Sequence, residues 1–99
     1  MTYSITLAAQ SDIEDIVTTL WEENPKAAEL IEGRLYDAFE LLADNPRLGH
    51  LRLDLTDRPV LFWPVRQTPY AAIYKPVAPI EIIRVIHWRR DIGVLLSHD

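Results

Sequence analysis

The stretch "PIEIIRVIHWRRDIGVLL", residues 79–96, carries a core strand straight into a cluster of cations with no turn signal between them. Ile82, Ile83, Val85 and Ile86 surround Arg84, the branched apolar composition of a strand inside a core. His87, Trp88, Arg89, Arg90 and Asp91 follow, and then the chain turns apolar again. A regular strand over 80–87 sets Ile80, Ile82, Arg84 and Ile86 on one face, and Glu81, Ile83, Val85 and His87 on the other. Arg84 and His87 share a site only if a bulge or turn reverses that alternation.

Working back from this strand, residues 60–66 (VLFWPVR) and 70–76 (YAAIYKP) read as two more, with Gln67-Thr68-Pro69 and Pro76–Pro79 as the turns. Pro64 cannot donate to a ladder, so it predicts an edge or a bulge. Phe62 and Trp63 are adjacent and must face opposite sides. Residues 47–59 read as a loop, with a short extended piece at Leu51–Leu55.

The first half reads differently. Tyr3, Ile5 and Leu7 alternate with Thr2, Ser4 and Thr6, a half-buried strand. Ser11 and Glu14 form a capping box for the helix that follows, which starts either there or a turn sooner near Ala8. Ile13, Ile16, Val17, Leu20 and Trp21 fall on one stripe. Asn24-Pro25 ends that helix and opens a second, in which Ala27, Ala28, Ile31, Leu35, Ala38, Phe39 and Leu42 face inward until Asn45-Pro46. So short a connection makes an antiparallel helical hairpin, roughly Ala9–Asn24 and Pro25–Asn45. The order β-α-α-β-β-β predicts an α+β domain spanning 1–99, its hairpin packed on a mainly antiparallel sheet with the central strand near 80–87. The expected core is Ile16, Leu20, Ile31, Leu35, Phe39, Ile73, Ile83 and Val85.

Composition bounds the function. Ninety-nine residues with 48% apolar and 25% charged side chains fit one globular domain. With no cysteine there is neither a disulfide framework nor thiolate chemistry. No apolar run reaches a membrane span, and "MTYSITLAAQSD" lacks the basic start and apolar block of a signal peptide. A cytoplasmic protein with no membrane partner is expected. The net charge of −5 hides a division: residues 1–49 hold three basic and ten acidic side chains, residues 50–99 seven basic and five acidic. A basic face is therefore compatible with an acidic total. His50, His87 and His98 have no metal-ligand spacing, Gly33, Gly49 and Gly93 make no phosphate loop, and no cofactor is expected.

Taken together, the element order, "NPRLGHLRLDL" before the sheet, "AAIYKP" within it and "RVIHWRRDIGVLL" at its end resemble the ParE branch of the RelE/ParE toxin superfamily, the toxin halves of type II toxin–antitoxin (plasmid stabilisation) modules. The resemblance spans Asp12-Ile13 to Leu95-Leu96. Trp88 stands where that branch usually has a small residue, and the acidic total departs from a family whose members are often basic.

The resemblance implies a cognate antitoxin that wraps the hairpin and sheet edge, with Leu20, Trp21, Trp63, Tyr70 and Tyr74 as the groove residues. It implies contact with operator DNA only through that antitoxin. It also implies a cellular target: DNA gyrase, which the toxin inhibits, or the ribosome and its mRNA. For a target surface it points to Trp88, Arg89, Arg90 and Arg52. In the RNA-cleaving branch a base takes the 2′-OH proton, cations hold the phosphate and an acid protonates the leaving oxygen. Here His87 is the candidate base, with Arg90, Arg84 and Arg66 as candidate cations. The branch's C-terminal tyrosine falls near Leu96, which transfers no proton. Gyrase inhibition is therefore favoured over a metal-independent endoribonuclease, with a non-toxic binding or autoregulatory member as a further alternative. Against these stand plainer roles: a salt bridge for Arg84 to Glu81 or a helix carboxylate, a backbone-bonded strand end for His87, and a solvated helix start for Arg89-Arg90-Asp91.

Overall fold

Thr6 decides where the first strand stops and the first helix begins. Its hydroxyl accepts the Ala9 N–H at 3.1 Å, an N-cap, and donates to the Ile83 carbonyl at 2.8 Å. In the computed structural model, which describes residues 2–90, β1 is therefore Tyr3–Ile5 and α1 is Leu7–Glu23. Ser11 is not the cap but a residue within the helix. Leu7, expected to close the strand, is the first helical residue and is 83% exposed.

Asn24 serves both helices. Its N–H reaches the Leu20 carbonyl at 2.7 Å, and its side-chain oxygen accepts the Ala27 N–H at 3.2 Å. Pro25 then occupies the first turn of α2, Pro25–Asp44, where its missing N–H costs nothing. Asn45 closes α2 through its backbone and side chain, both donating to Leu41.

The sheet contains β2 (Leu61–Pro64), β3 (Tyr70–Lys75) and β4 (Ile80–His87) beside β1, in the order β1-β4-β3-β2. β1 runs parallel to β4 and the other pairings are antiparallel, giving the expected α+β architecture. β2 lies at one edge of the sheet, the first of the two placements, edge or bulge, that Pro64 predicted. The extended piece expected at Leu51–Leu55 is instead a turn in which Leu55 and Thr56 donate to the Arg52 carbonyl.

Both faces of the sheet are covered, which the expected core did not anticipate. Leu35, Phe39, Leu42, Tyr74, Ile82 and Val85 pack between sheet and helices. Val60, Phe62, Ile73 and Ile86 form a second cluster, against which Leu55 and Ile83 pack. Ile73 and Ile83 thus belong to the second cluster rather than to the helix side. Ile16, Leu20 and Ile31 are half-buried rather than enclosed.

A bulge in β4 explains the reassignment. Ile73 pairs with Arg84 but Tyr74 pairs with Ile82, so Ile83 is the extra residue. Beyond it the alternation reverses, and Val85 joins Ile80 and Ile82 on the helix side. The sequence-based assignment of Ile86 to the face of Ile80 and Ile82 fails for the same reason.

The motif pieces "NPRLGH" and "AAIYKP" meet at Tyr74. Its hydroxyl donates to the Pro46 carbonyl at 2.7 Å and accepts the Gly49 N–H at 2.8 Å. A Cβ on Gly49 would lie 2.7 Å from that oxygen and 2.9 Å from the Leu61 Cβ, so only glycine fits this approach.

Candidate functional site

The end of β4 is fixed by α1. Where β1 stops, Asp12 on α1 takes over the edge of β4. Its carboxylate accepts the Val85 N–H at 2.9 Å and both arms of the Arg84 guanidinium at 2.8 and 2.9 Å. A two-armed arginine–carboxylate contact fixes geometry as well as charge. Thr6 holds the bulge one step earlier through the Ile82 and Ile83 carbonyls. Of the two partners expected for Arg84, the helix carboxylate is therefore the one used. Glu81 instead faces Lys75 at 3.6 Å.

Past the bulge, His87 lies edge-on to Tyr70, with ring centroids 5.7 Å apart. Its Nδ1 accepts the N–H groups of Arg89 and Arg90 at 3.4 and 3.3 Å, so the imidazole closes the turn after the strand. Trp88 is 41% exposed, and the Arg89 guanidinium lies 4.9 Å from its ring centroid, a cation–π contact. Arg90 is exposed and, with His87 and Tyr70, faces Asp12 and Asp15 across a cleft of about 300 Å³ between α1 and the sheet. Asp91 and the run through Leu96 lie outside the described residues, as does His98.

A second cleft, of about 340 Å³, lies between α2 and the end of β2. Leu41, Ala38, Val65 and the Trp63 indole line it, and Arg34, Asp37 and Arg66 add charge. Trp63 stacks on His50, with centroids 6.3 Å apart and planes 23° from parallel. Arg34 donates to the Gln67 carbonyl at 3.1 Å, and Gln67 holds a left-handed backbone with φ of 60°.

The candidate residues thus fall into separate groups. Of the four candidate catalytic residues, only His87 and Arg90 share a cleft. Arg84 is committed to Asp12, and Arg66 lines the other cleft. Arg52, expected on a target surface, forms a two-armed pair with Asp54 at 3.0 and 2.9 Å. That contact holds the Arg52 pKa above its ordinary value and the Asp54 carboxyl below its own.

Among the expected groove residues, Trp21 is 51% exposed on α1 and Trp63 lines the α2 cleft, whereas Leu20 is half-buried. Tyr74 offers no ring to a partner, because it is fully buried with its hydroxyl tied to the 46–49 loop. Burial pushes its phenol pKa up, opposed by the Gly49 N–H. Tyr70 is likewise buried, at the strand start opposite His87.

The reading of the sequence missed Asp12, Asp15 and Arg34 as site residues. Asp12, Asp15 and Thr19 recur at helical spacing on α1 and line the first cleft, a pattern visible in the sequence. Arg34 has no comparable signal. Among the described residues, no group of three or more His, Asp or Glu side chains is placed to hold a metal ion. No helix among them is long and apolar enough to cross a membrane.

The two-helix hairpin packs on a mixed four-stranded sheet, and a family match places that fold among the toxins of toxin–antitoxin modules. The sequence profile of the family described as "ParE toxin of type II toxin-antitoxin system, parDE" matches residues 3–92, and the chain belongs to that family. Among solved structures, it is similar in fold to a chain of a chromosomal ParDE toxin–antitoxin system from P. aeruginosa, with a TM-score of 0.72. The two are 19% identical, and the match covers 88% of this chain and 95% of that one. A comparison with curated protein sequences gives no match.

Proposed function

We propose that this chain is the toxin of a type II module, that a cognate antitoxin neutralises it, and that it acts by inhibiting DNA gyrase through the end of β4 rather than by cutting RNA. Family membership supports the first two parts. The observation that carries the third is the dispersal of the catalytic candidates. Phosphodiester cleavage needs a base, a phosphate clamp and an acid converging on one reacting centre. Here Arg84 is bound to Asp12, and Arg66 lines a different cleft from His87 and Arg90. The cleft holding His87 and Arg90 also presents the carboxylate of Asp15, which repels a scissile phosphate, while Asp12 in the same cleft is held by Arg84. His87 serves as a turn-closing acceptor.

An exposed Trp88–Arg89 pair beside Arg90 suits binding to a protein surface, where tryptophan and arginine contribute disproportionately. Inducible expression of the chain alone, with DNA synthesis, translation and the SOS response followed together, tests this reading. Early loss of DNA synthesis with SOS induction is expected. Early loss of translation with ribosome-dependent mRNA cleavage identifies an endoribonuclease, and unimpaired growth identifies a non-toxic member.

A further inference from the structure

The two edges of the sheet are largely closed to an added strand. On β2 the outward-facing groups of Phe62 already exchange two backbone hydrogen bonds with His50, each at 2.9 Å. The next outward position is Pro64, which has no N–H to offer. On β4, Thr6 and Asp12 hold the Ile83 carbonyl and the Val85 N–H. Among the described residues, only the three of β1 remain as a possible template. A partner that wraps this fold must therefore hold it largely through side chains.

The α2–β2 cleft provides the anchors. Leu30, Arg34, Asp37 and Leu41 follow one another at helical spacing along α2, and Leu30 and Leu41 are 53% and 41% exposed. Across from this strip lie Trp63 and Arg66. Arg66 makes no hydrogen bond or ion pair among the described residues, and only one arm of Arg34 is used, on Gln67. Among the described residues, the acid lining the cleft is Asp37.

These two cations stand against the charge of their surroundings. Residues 7–44 carry ten acidic side chains and only two basic ones, Lys26 and Arg34. A nucleic acid, whose hold comes from many phosphate contacts made by basic side chains, meets two cations here and then a repelling helical face. A short peptide needs only one carboxylate at that point. It also gains from the apolar floor of Trp63, Leu41, Ala38 and Val65.

We propose that the α2–β2 cleft docks a segment of a partner protein that presents a carboxylate to Arg34 and Arg66 and lays a large apolar side chain on Trp63 and Leu41. The segment adds no strand at the β2 edge. This rests on the reading of the chain as a toxin held by an antitoxin, and assigns where and by what chemistry the antitoxin is gripped. The segment runs along α2 from Leu30 to Leu41, about 16 Å at the helical rise.

The probe is the purified product of the adjacent reading frame that restores growth to cells expressing this chain, titrated calorimetrically into wild-type, Arg66→Glu, Arg66→Lys and Trp63→Ala proteins. Thermal midpoints are recorded alongside. Arg66 is exposed and bonded to nothing described, so Arg66→Glu is expected to keep the wild-type midpoint. It is expected to weaken binding at least about tenfold, the loss implied by one charge-assisted hydrogen bond. Arg66→Lys should retain most of the affinity. An acid-to-lysine change in the partner should restore binding to Arg66→Glu and to no other variant.

Equal affinity for wild type and Arg66→Glu overturns the assignment of the cleft while leaving the antitoxin reading intact. A partner that rescues growth but does not bind wild-type protein overturns the antitoxin reading itself. An isolated chain that is dimeric, and that Arg66→Glu renders monomeric, places a second copy in the cleft and overturns the proposal.

Discussion

The two clefts flanking the helical hairpin are built on opposite plans. Beside α1, the charged groups are largely spoken for: Asp12 holds Arg84 and the Val85 N–H, and His87 closes the turn that carries Arg89 and Arg90. Beside α2, Arg66 is uncommitted among the described residues and Arg34 is half-committed, over an indole floor. The first arrangement fixes the position of a short cationic turn at the strand end. The second leaves binding capacity open. The contrast separates residues that shape a surface from residues that wait for a partner, although all are arginines and carboxylates in the sequence.

Substitutions should show the contrast first as stability. Asp12→Ala breaks the two-armed pair and orphans the Val85 N–H at once. The Asp12 side chain is 16% exposed and that of Arg84 33%, so the loss should approach the cost of breaking a buried pair, about 3 kcal/mol. A urea titration reads this directly. A loss below about 1 kcal/mol would mean the α1 cleft is no more fixed than the α2 cleft.

Next in size is Tyr74→Phe, which removes the hydroxyl that joins the 46–49 loop to the sheet. Both its partners are backbone groups, and a loss of about 1–3 kcal/mol is expected at neutral pH. The pH dependence sharpens the point. Burial raises the folded-state phenol pKa above its ordinary value near 10, so this stability is fully present below about pH 10 and falls as pH rises toward the folded value. Tyr3 is raised by burial too, and by Glu40 and Tyr36, so it adds to the alkaline loss in both proteins. The phenylalanine variant should therefore lose stability less steeply above pH 10 than wild type, which parallel melts at pH 8 and 11 would show.

The smallest effect belongs to the open cleft. Arg66→Ala should change stability by no more than about 0.5 kcal/mol, the usual range for exposed positions. A larger change, measured by the same urea titration, would show that Arg66 carries a structural contact and that the two clefts differ less than described here.

What was legible in the sequence follows the same division. Local signals gave the elements: Asn24-Pro25 and Asn45-Pro46 bound the second helix, and Pro64 marks an edge strand. Of the two starts read for the first helix, the earlier one near Ala8 is close to the observed Leu7, while Ser11 and Glu14, the stronger local pattern, are not the cap. Thr6 won because its hydroxyl also holds the Ile83 carbonyl, 77 residues away. The bulge at Ile83 is of the same kind. No glycine announces it, and the groups that hold it, Thr6 and Asp12, come from the other end of the chain. Its consequence, the reversed alternation of Val85 and Ile86, was therefore invisible to strand parity.

Of the site, the cluster of cations after β4 was legible from composition alone, whereas the turn that carries it was not, because His87 closes it without any local turn signal. The commitment of Arg84 to Asp12, and of Arg52 to Asp54, was not, because an arginine looks the same in sequence whether paired or free. Tyr74 was misjudged similarly. The resemblance set it among the groove residues, but its ring is buried and its hydroxyl is tied to Pro46 and Gly49.

The central claim is that the turn after β4 acts on gyrase as a binding surface. The most direct measurement is DNA supercoiling by purified gyrase in the presence of this protein, with His87→Ala and Arg90→Ala compared at matched thermal midpoints. Wild type should inhibit supercoiling in a concentration-dependent manner, and both variants should require at least about tenfold more protein for the same inhibition, Arg90→Ala through loss of an exposed cation of the surface and His87→Ala through release of the turn that positions it. Full supercoiling with wild type in excess, together with mRNA cleavage when the same protein is added to translating ribosomes, would contradict the account.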